Sequence, residues 1–241
     1  MHSKTELDSI CQQFTSDIQS IYGNPVSILL YGSAATEEYR PKHSDINVLV
    51  TLTDDSMEHL EAVQKLVSRW NRHRILPLFM NQAYIENSLD SFPIEFLNMQ
   101  SAYRVLSGKD VLSAIQISKK DMRLQCEREL KGKLMQLRQG FIQSEGRKKR
   151  LERLIAQSVV TFVAIFKGLL YLRDQPIPVK KTEVILKACE AFDEIDRSLF
   201  ETLLALKRGE IKKAKPELIA LVKDYIHSIE KLSLTVDQIK I

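Results

Sequence analysis

Leu30-Tyr31-Gly32-Ser33, followed a dozen residues later by Ser44-Asp45-Ile46-Asn47-Val48-Leu49-Val50, is the stretch that decides how this chain folds. Val26 to Tyr31 is an apolar, β-prone run. A Gly-Ser leaving such a run lets the backbone turn tightly into a helix N-terminus, where N–H groups and the Ser33 hydroxyl can hold a phosphate. The second run, Asp45 to Thr53, reads as a strand whose side chains alternate faces. Ile46, Val48, Val50 and Leu52 then point to a core, while Asp45 and Asn47 share the opposite face. Two oxygen-bearing side chains thus stand together at the start of a strand, beside a phosphate-holding turn.

Working outward, Thr5 to Tyr22 predicts an amphipathic helix closed by Gly23, Asn24 and Pro25. Met57 to Trp70 predicts a helix, Ile75 to Met80 a third strand, Ala83 to Leu89 a short helix, and Phe92 to Leu97 a fourth strand. Glu95 interrupts that last apolar run, and a carboxylate among apolar neighbours needs a cation or hydrogen bonds to offset its desolvation. If its strand lies beside the Asp45 strand, then Asp45, Asn47 and Glu95 form a set of hard oxygen ligands suited to Mg²⁺ and facing Gly32-Ser33. The plainer readings are a turn with a Ser cap, Asx-turns at Asp45 and Asn47, and an ion pair of Glu95 with Arg104 or Lys109. From Ser118 onward the periodicity is helical: Cys126, Leu130, Leu134, Leu137 and Phe141 mark one long helix, and Leu151 to Leu169 a second. Pro176 and Pro178 fall in a connection, and helices around Val184–Phe192, Leu199–Lys207 and Leu218–Leu232 complete an antiparallel bundle.

Gly-Ser, an acid and a second polar ligand two residues apart on the next strand, and a later isolated Glu together resemble the nucleotidyltransferase superfamily. That superfamily includes DNA polymerase beta, kanamycin nucleotidyltransferase and the minimal nucleotidyltransferases. The resemblance covers residues 1–117, and residues 118–241 look like the helical bundle of the kanamycin-type and HEPN-linked members. It implies an α+β nucleotidyltransferase-like domain with a mixed β-sheet and flanking helices, followed by an all-α bundle. It also implies transfer of a nucleoside monophosphate from an NTP to an acceptor hydroxyl, with Mg²⁺ or Mn²⁺. Gly32 and Ser33 match the triphosphate turn, Asp45 the first metal ligand, and Glu95 the third carboxylate and candidate base at the acceptor hydroxyl. The nucleotide is expected in the cleft between the halves. Asn47 departs from the pattern, because a second acid normally stands there. An amide oxygen can coordinate Mg²⁺ but brings no charge. The resemblance therefore leaves two functions open, a metal-dependent nucleotidyltransferase weakened at Asn47, or a catalytically degenerate nucleotide-sensing or protein-interaction module whose bundle mediates a homodimer or binds a partner.

Composition sets the outer bounds. The 241 residues are 44% hydrophobic and 27% charged, which describes a folded globular chain. Residues 1–117 carry nine Lys+Arg against fourteen Asp+Glu, and the remainder twenty-six against seventeen, so the halves differ in sign. A net charge of +4 does not by itself announce nucleic-acid binding, and Arg147-Lys148-Lys149-Arg150 reads as a solvated helix–helix connection. Arg40, Lys42 and His43 lie on the loop before Asp45, where they either approach the phosphates or are surface charge. Cys11, Cys126 and Cys189 have neither metal-ligand spacing nor a disulfide framework, and the polar N-terminus lacks a signal-peptide stretch. The expectation is a cytoplasmic protein with no membrane role, Leu154–Leu172 being a buried bundle helix. No G-x-x-x-x-G-K-[ST] occurs, and Ser33 has no evident His and acid partners. HEPN ribonucleases use an Arg closely followed by a His, and His227 has no such arginine before it.

Overall fold

The computed structural model describes residues 4–23, 27–41 and 43–240. Asn24, Pro25, Val26 and Lys42, to which the sequence reading gave turn, strand and loop roles, lie outside them. The chain divides into two compact units, one of residues 1–89 with 98–116, the other of residues 90–97 with 117–241.

The first unit is built on a four-stranded mixed sheet in the order β3-β2-β1-β4, comprising β1 (Ser27–Tyr31), β2 (Ile46–Leu52), β3 (Ile75–Asn81) and β4 (Tyr103–Ser107). β1 runs antiparallel to β2 and β4, whereas β2 and β3 are parallel and joined through α2 (Met57–Arg72). Helix α1 (Lys4–Tyr22) and α2 cover one face. Ile28, Leu30, Ile46, Val48, Val50, Leu52 and Ile75 from the sheet pack there with Leu7, Cys11, Phe14 and Ile18 of α1 and Val63 and Trp70 of α2. The alternation expected along β2 thus puts its four apolar residues in this core. The opposite face is not open to water along its whole length, since Leu29 and Leu49 are fully buried. Asp17 ties the two helices: its carboxylate, 7% exposed, accepts from the Trp70 indole at 3.1 Å, Arg69 at 2.9 Å and Gln13 at 3.1 Å. Buried donors left unpaired cost about 1–3 kcal/mol, so this cluster fixes how α1 and α2 meet.

The fourth strand is a correction. Phe92–Leu97 is not a strand but the start of helix α4 (Pro93–Ser101), and β4 follows it. Pro93 suits a first helical position, where no intrahelical N–H bond is needed. The Ile94 N–H is accepted by the buried Gln125 side chain at 2.7 Å. Ile94, Phe96 and Leu97 are buried while Phe92 and Glu95 are exposed, and an apolar run of only six residues is too short for its period to tell helix from strand.

After the short α3 (Gln82–Asn87), the second unit follows the helical expectation with one break. α5 (Lys119–Gln143) is capped by Ser118, whose hydroxyl accepts from the Asp121 N–H at 3.3 Å. The second long helix is α6 (Lys148–Ser158), a 3₁₀ turn at Val159–Phe162 and α7 (Val163–Leu172). Residues 148–172 are long and apolar enough to cross a membrane, yet Leu151, Ile155, Val159, Phe162, Phe166, Leu169 and Leu170 are fully buried inside the unit, as in a core helix. α8 (Lys181–Ala191), α9 (Arg197–Arg208) and α10 (Lys215–Asp237) complete it. Phe162, Phe166, Phe200 and Tyr225 cluster at its centre with ring centroids 5.6–5.9 Å apart, three of the contacts edge to face and Phe162–Phe166 tilted.

Candidate functional site

Four of the expected site positions, Gly32, Ser33, Asp45 and Asn47, lie at one end of the sheet. Tyr31, the last residue of β1, pairs with Asn47 of β2, so Gly32 leaves the sheet beside the Asn47 side chain. Gly32 adopts φ +74°, a conformation that glycine takes without strain, and a Cβ there would stand 3.4 Å from Asn47 Nδ2. Its N–H donates to Ala102 O at 2.9 Å, which anchors the turn to the residue just before β4. Gly32 and Ser33 open a four-residue 3₁₀ turn, Gly32–Ala35, not the α-helix N-terminus expected from sequence. The backbone and hydroxyl of the turn, rather than a helix macrodipole, are what this corner offers an anion. Thr36 closes it, its N–H and hydroxyl both donating to Ser33 O. Next to the turn, a cleft of about 410 Å³ is lined by Ala34, Ala35, Thr36, Tyr39 and Arg104 among others. Burial pushes the Tyr31 and Tyr39 hydroxyls above their ordinary pKa, so both stay protonated.

Asp45 stands one residue before β2 and is not open to solvent alone. Arg74, one residue before β3, donates to Asp45 Oδ1 from Nε at 3.0 Å and from Nη2 at 2.7 Å. Parallel pairing of Ile46 with Ile75 brings the two residues together, and the Ile46 N–H donates to Arg74 O at 2.9 Å. Arg74 has φ +57°, a left-handed conformation that costs an ordinary residue about 1–2 kcal/mol. Sequence reading passed over Arg74. The signal available was its place one residue ahead of a strand parallel to the Asp45 strand, which a topology, not a motif, supplies.

Glu95 is placed differently from the expectation. On α4, in the segment that clusters with the helices, it accepts from Gln125 Nε2 at 2.7 Å. The same Gln125 amide accepts the Ile94 N–H, so one buried side chain holds both groups of the helix's first turn. Arg104, the ion-pair partner considered for Glu95, binds Asp8 instead at 2.7 Å. The position alongside Asn47 on the neighbouring parallel strand is Leu76, 49% exposed.

These positions test poorly as a magnesium centre. Mg²⁺ wants one or two carboxylates in addition to phosphate oxygens. Asp45 is engaged by a guanidinium, Asn47 is neutral, and Leu76 is aliphatic. Among the described residues, no three His, Cys, Asp or Glu gather as a metal-holding group. The residues present do not fit a resident pair of Mg²⁺ ions. The remaining sequence candidates are quiet: Glu145 pairs with both Arg147 and Arg150, and burial holds the Cys11, Cys126 and Cys189 thiols protonated. Arg40 and Ser44 brace each other within their loop, the Ser44 N–H donating to Arg40 O at 2.8 Å.

No family model and no curated protein sequence matches the chain. Among solved structures, it is similar to spectinomycin adenyltransferase AAD(9) from Enterococcus faecialis, determined with ATP and spectinomycin. The match covers 91% of this chain and 99% of that one, with 11% identity and a TM-score of 0.55. The chain therefore has the fold of that adenyltransferase, an α+β arrangement of a four-stranded mixed sheet and a helical region.

Proposed function

We propose that this protein is a nucleotide-binding module of the nucleotidyltransferase fold that holds a nucleoside triphosphate at the Gly32–Ser33 turn and has lost efficient transfer. The observation that carries this reading is the juxtaposition of Gly32 with Asn47, where the backbone can approach a phosphate closely but the adjoining strand offers an amide in place of an acid. That the structural neighbour was determined with ATP supports the ligand class. Gly32 and Ser33 hold the phosphates, and Asn47 offers a neutral donor or acceptor beside them. We assign Glu95 to the capping of α4 with Gln125 rather than to an acceptor hydroxyl. Removing a single charge-stabilising group from a site of this kind costs about 10²–10³-fold in rate. Here position 47 is neutral and Leu76 occupies the neighbouring place.

One observation favours a second reading, a slow transferase: Asp45 keeps its place ahead of β2 and an exposed carboxylate there can still serve a nucleotide-bound cation. Labelled ATP, GTP, CTP and UTP, offered with Mg²⁺ or Mn²⁺ and pooled hydroxyl acceptors, separate the two. The expected result is saturable retention of at least one nucleotide, weakened in Gly32→Val, with no pyrophosphate above the blank. Pyrophosphate release that disappears in Asp45→Ala supports the slow transferase, and a failure of all four nucleotides to bind sinks both.

A further inference from the structure

A triphosphate at this sheet end, without a resident metal, needs another source of positive charge. We propose that Arg74 is that source: its guanidinium passes from Asp45 to the outer phosphate oxygens, so the chain takes up a polyphosphate without a divalent ion. The inference rests on the nucleotide reading above and names the residue and the ionic state of the ligand within it.

Three features of the structure support it. The stem of Arg74 is fixed, and its half-exposed head is held by Asp45 and, at 3.5 Å, by His43 O. The Arg74 N–H donates to Asn71 O at 3.0 Å and its carbonyl accepts from the Ile46 N–H at 2.9 Å, while its side chain is 48% exposed. The guanidinium converges two N–H groups, Nε and Nη2, on one Asp45 oxygen, and the same edge can pair with two oxygens of a phosphate. An ion pair with both partners about half exposed adds little net stability, so giving up the carboxylate contact costs little.

The second feature is distance. Only β2 separates β1, which ends at the Gly32 turn, from β3, which Arg74 precedes. Two strand spacings make about 10 Å, a gap that an arginine side chain and a triphosphate chain close from opposite sides. The third is the charge that is missing. A metal-free triphosphate is repelled by a cluster of carboxylates, and here Asn47 and Leu76 contribute none, Asp45 is paired with Arg74, and Asp8 of the neighbouring cleft is paired with Arg104, so that Glu37 of the same cleft is offset by these cations only in part.

Calorimetric titration of the full chain with inorganic tripolyphosphate and with ATP, each in EDTA and in Mg²⁺, tests the proposal. Wild type is expected to bind both probes in EDTA, with Mg²⁺ changing the affinity less than threefold. Arg74→Asn, a residue that tolerates the left-handed backbone, is expected to weaken both at least tenfold with its thermal melt unchanged. Asp45→Asn, which releases the guanidinium, is expected to tighten both in EDTA. If Arg74→Asn does not fold, Asp45→Asn decides alone, and equal or weaker binding overturns the proposal. Binding by wild type that appears only with Mg²⁺, or an unaltered affinity in a folded Arg74→Asn, overturns it while leaving the nucleotide reading standing. Failure of both probes in both buffers overturns the two together.

Discussion

At position 47 an amide stands where a carboxylate would complete an acidic pair with Asp45, and alongside it on β3 stands an exposed leucine. The backbone of the corner is intact, so the missing charges can be put back. Asn47→Asp with Leu76→Glu places three carboxylates on adjoining positions, and like charges facing one another across strands destabilise by up to about 1 kcal/mol. The double variant is expected to melt below wild type in EDTA and to recover that loss in millimolar Mn²⁺, because an ion that binds only the folded state stabilises it. Wild type is expected to melt alike with and without Mn²⁺. Paired melts, with electron paramagnetic resonance of Mn²⁺ as the direct readout, check this; a double variant indifferent to Mn²⁺ would show that the three positions do not converge on one ion.

Elements are set by where backbones approach closely, and two glycines make the point with opposite signs. Gly168 of α7 packs against α5, where a Cβ would stand 2.7 Å from Cys126 Sγ and 2.8 Å from Met122 Sδ. Gly132, in the middle of α5, has nothing within 4 Å of the same added atom. Gly168→Ala is expected to destabilise by about 1–3 kcal/mol through overpacking. Gly132→Ala is expected to stabilise by about 0.5–1 kcal/mol, since it removes only the entropic cost of a glycine in a helix. Urea denaturation midpoints measure both, and a Gly168→Ala chain as stable as wild type would mean that α5 and α7 can part without loss. α4 was hidden for another reason: the six residues Phe92–Leu97 are too short a run for their apolar positions to distinguish a helical period from that of a strand, and the capping partner Gln125 lies thirty-one residues beyond Ile94.

For the molecule as a whole, what was legible follows the range of the forces involved. The alternation along β2 and the stripe along α5 are local patterns, and both gave the observed buried faces. The Gly32 turn was legible because a glycine at a strand end limits the backbone by itself. Arg74, Leu76 and the role of Gln125 depend on which strand or helix lies alongside, and a single chain of letters does not hold that. The closure of the helical unit by its first and last helices is of this second kind. Arg123 of α5 donates to Val236 O and Asp237 O at 3.4 and 3.3 Å and pairs with Glu127 at 2.9 Å, while Lys131 binds the other Glu127 oxygen. The Lys131 hydrogen bond, then that of Arg123, holds the Glu127 carboxyl below its ordinary value of 4.5. A carboxylate with a lowered folded-state pKa contributes stability that is present above its ordinary pKa and lost as pH falls through the folded one. Wild-type stability is therefore expected to hold above pH 4.5 and to decline below it, with Glu127 contributing about 0.5–1 kcal/mol of that decline. Glu127→Gln is expected to lose this amount at neutral pH and to show a correspondingly shallower acid slope. Urea midpoints for both chains between neutral pH and about pH 3 decide it, because a variant that loses stability at neutral pH but keeps the full wild-type acid slope would place the titrating group elsewhere.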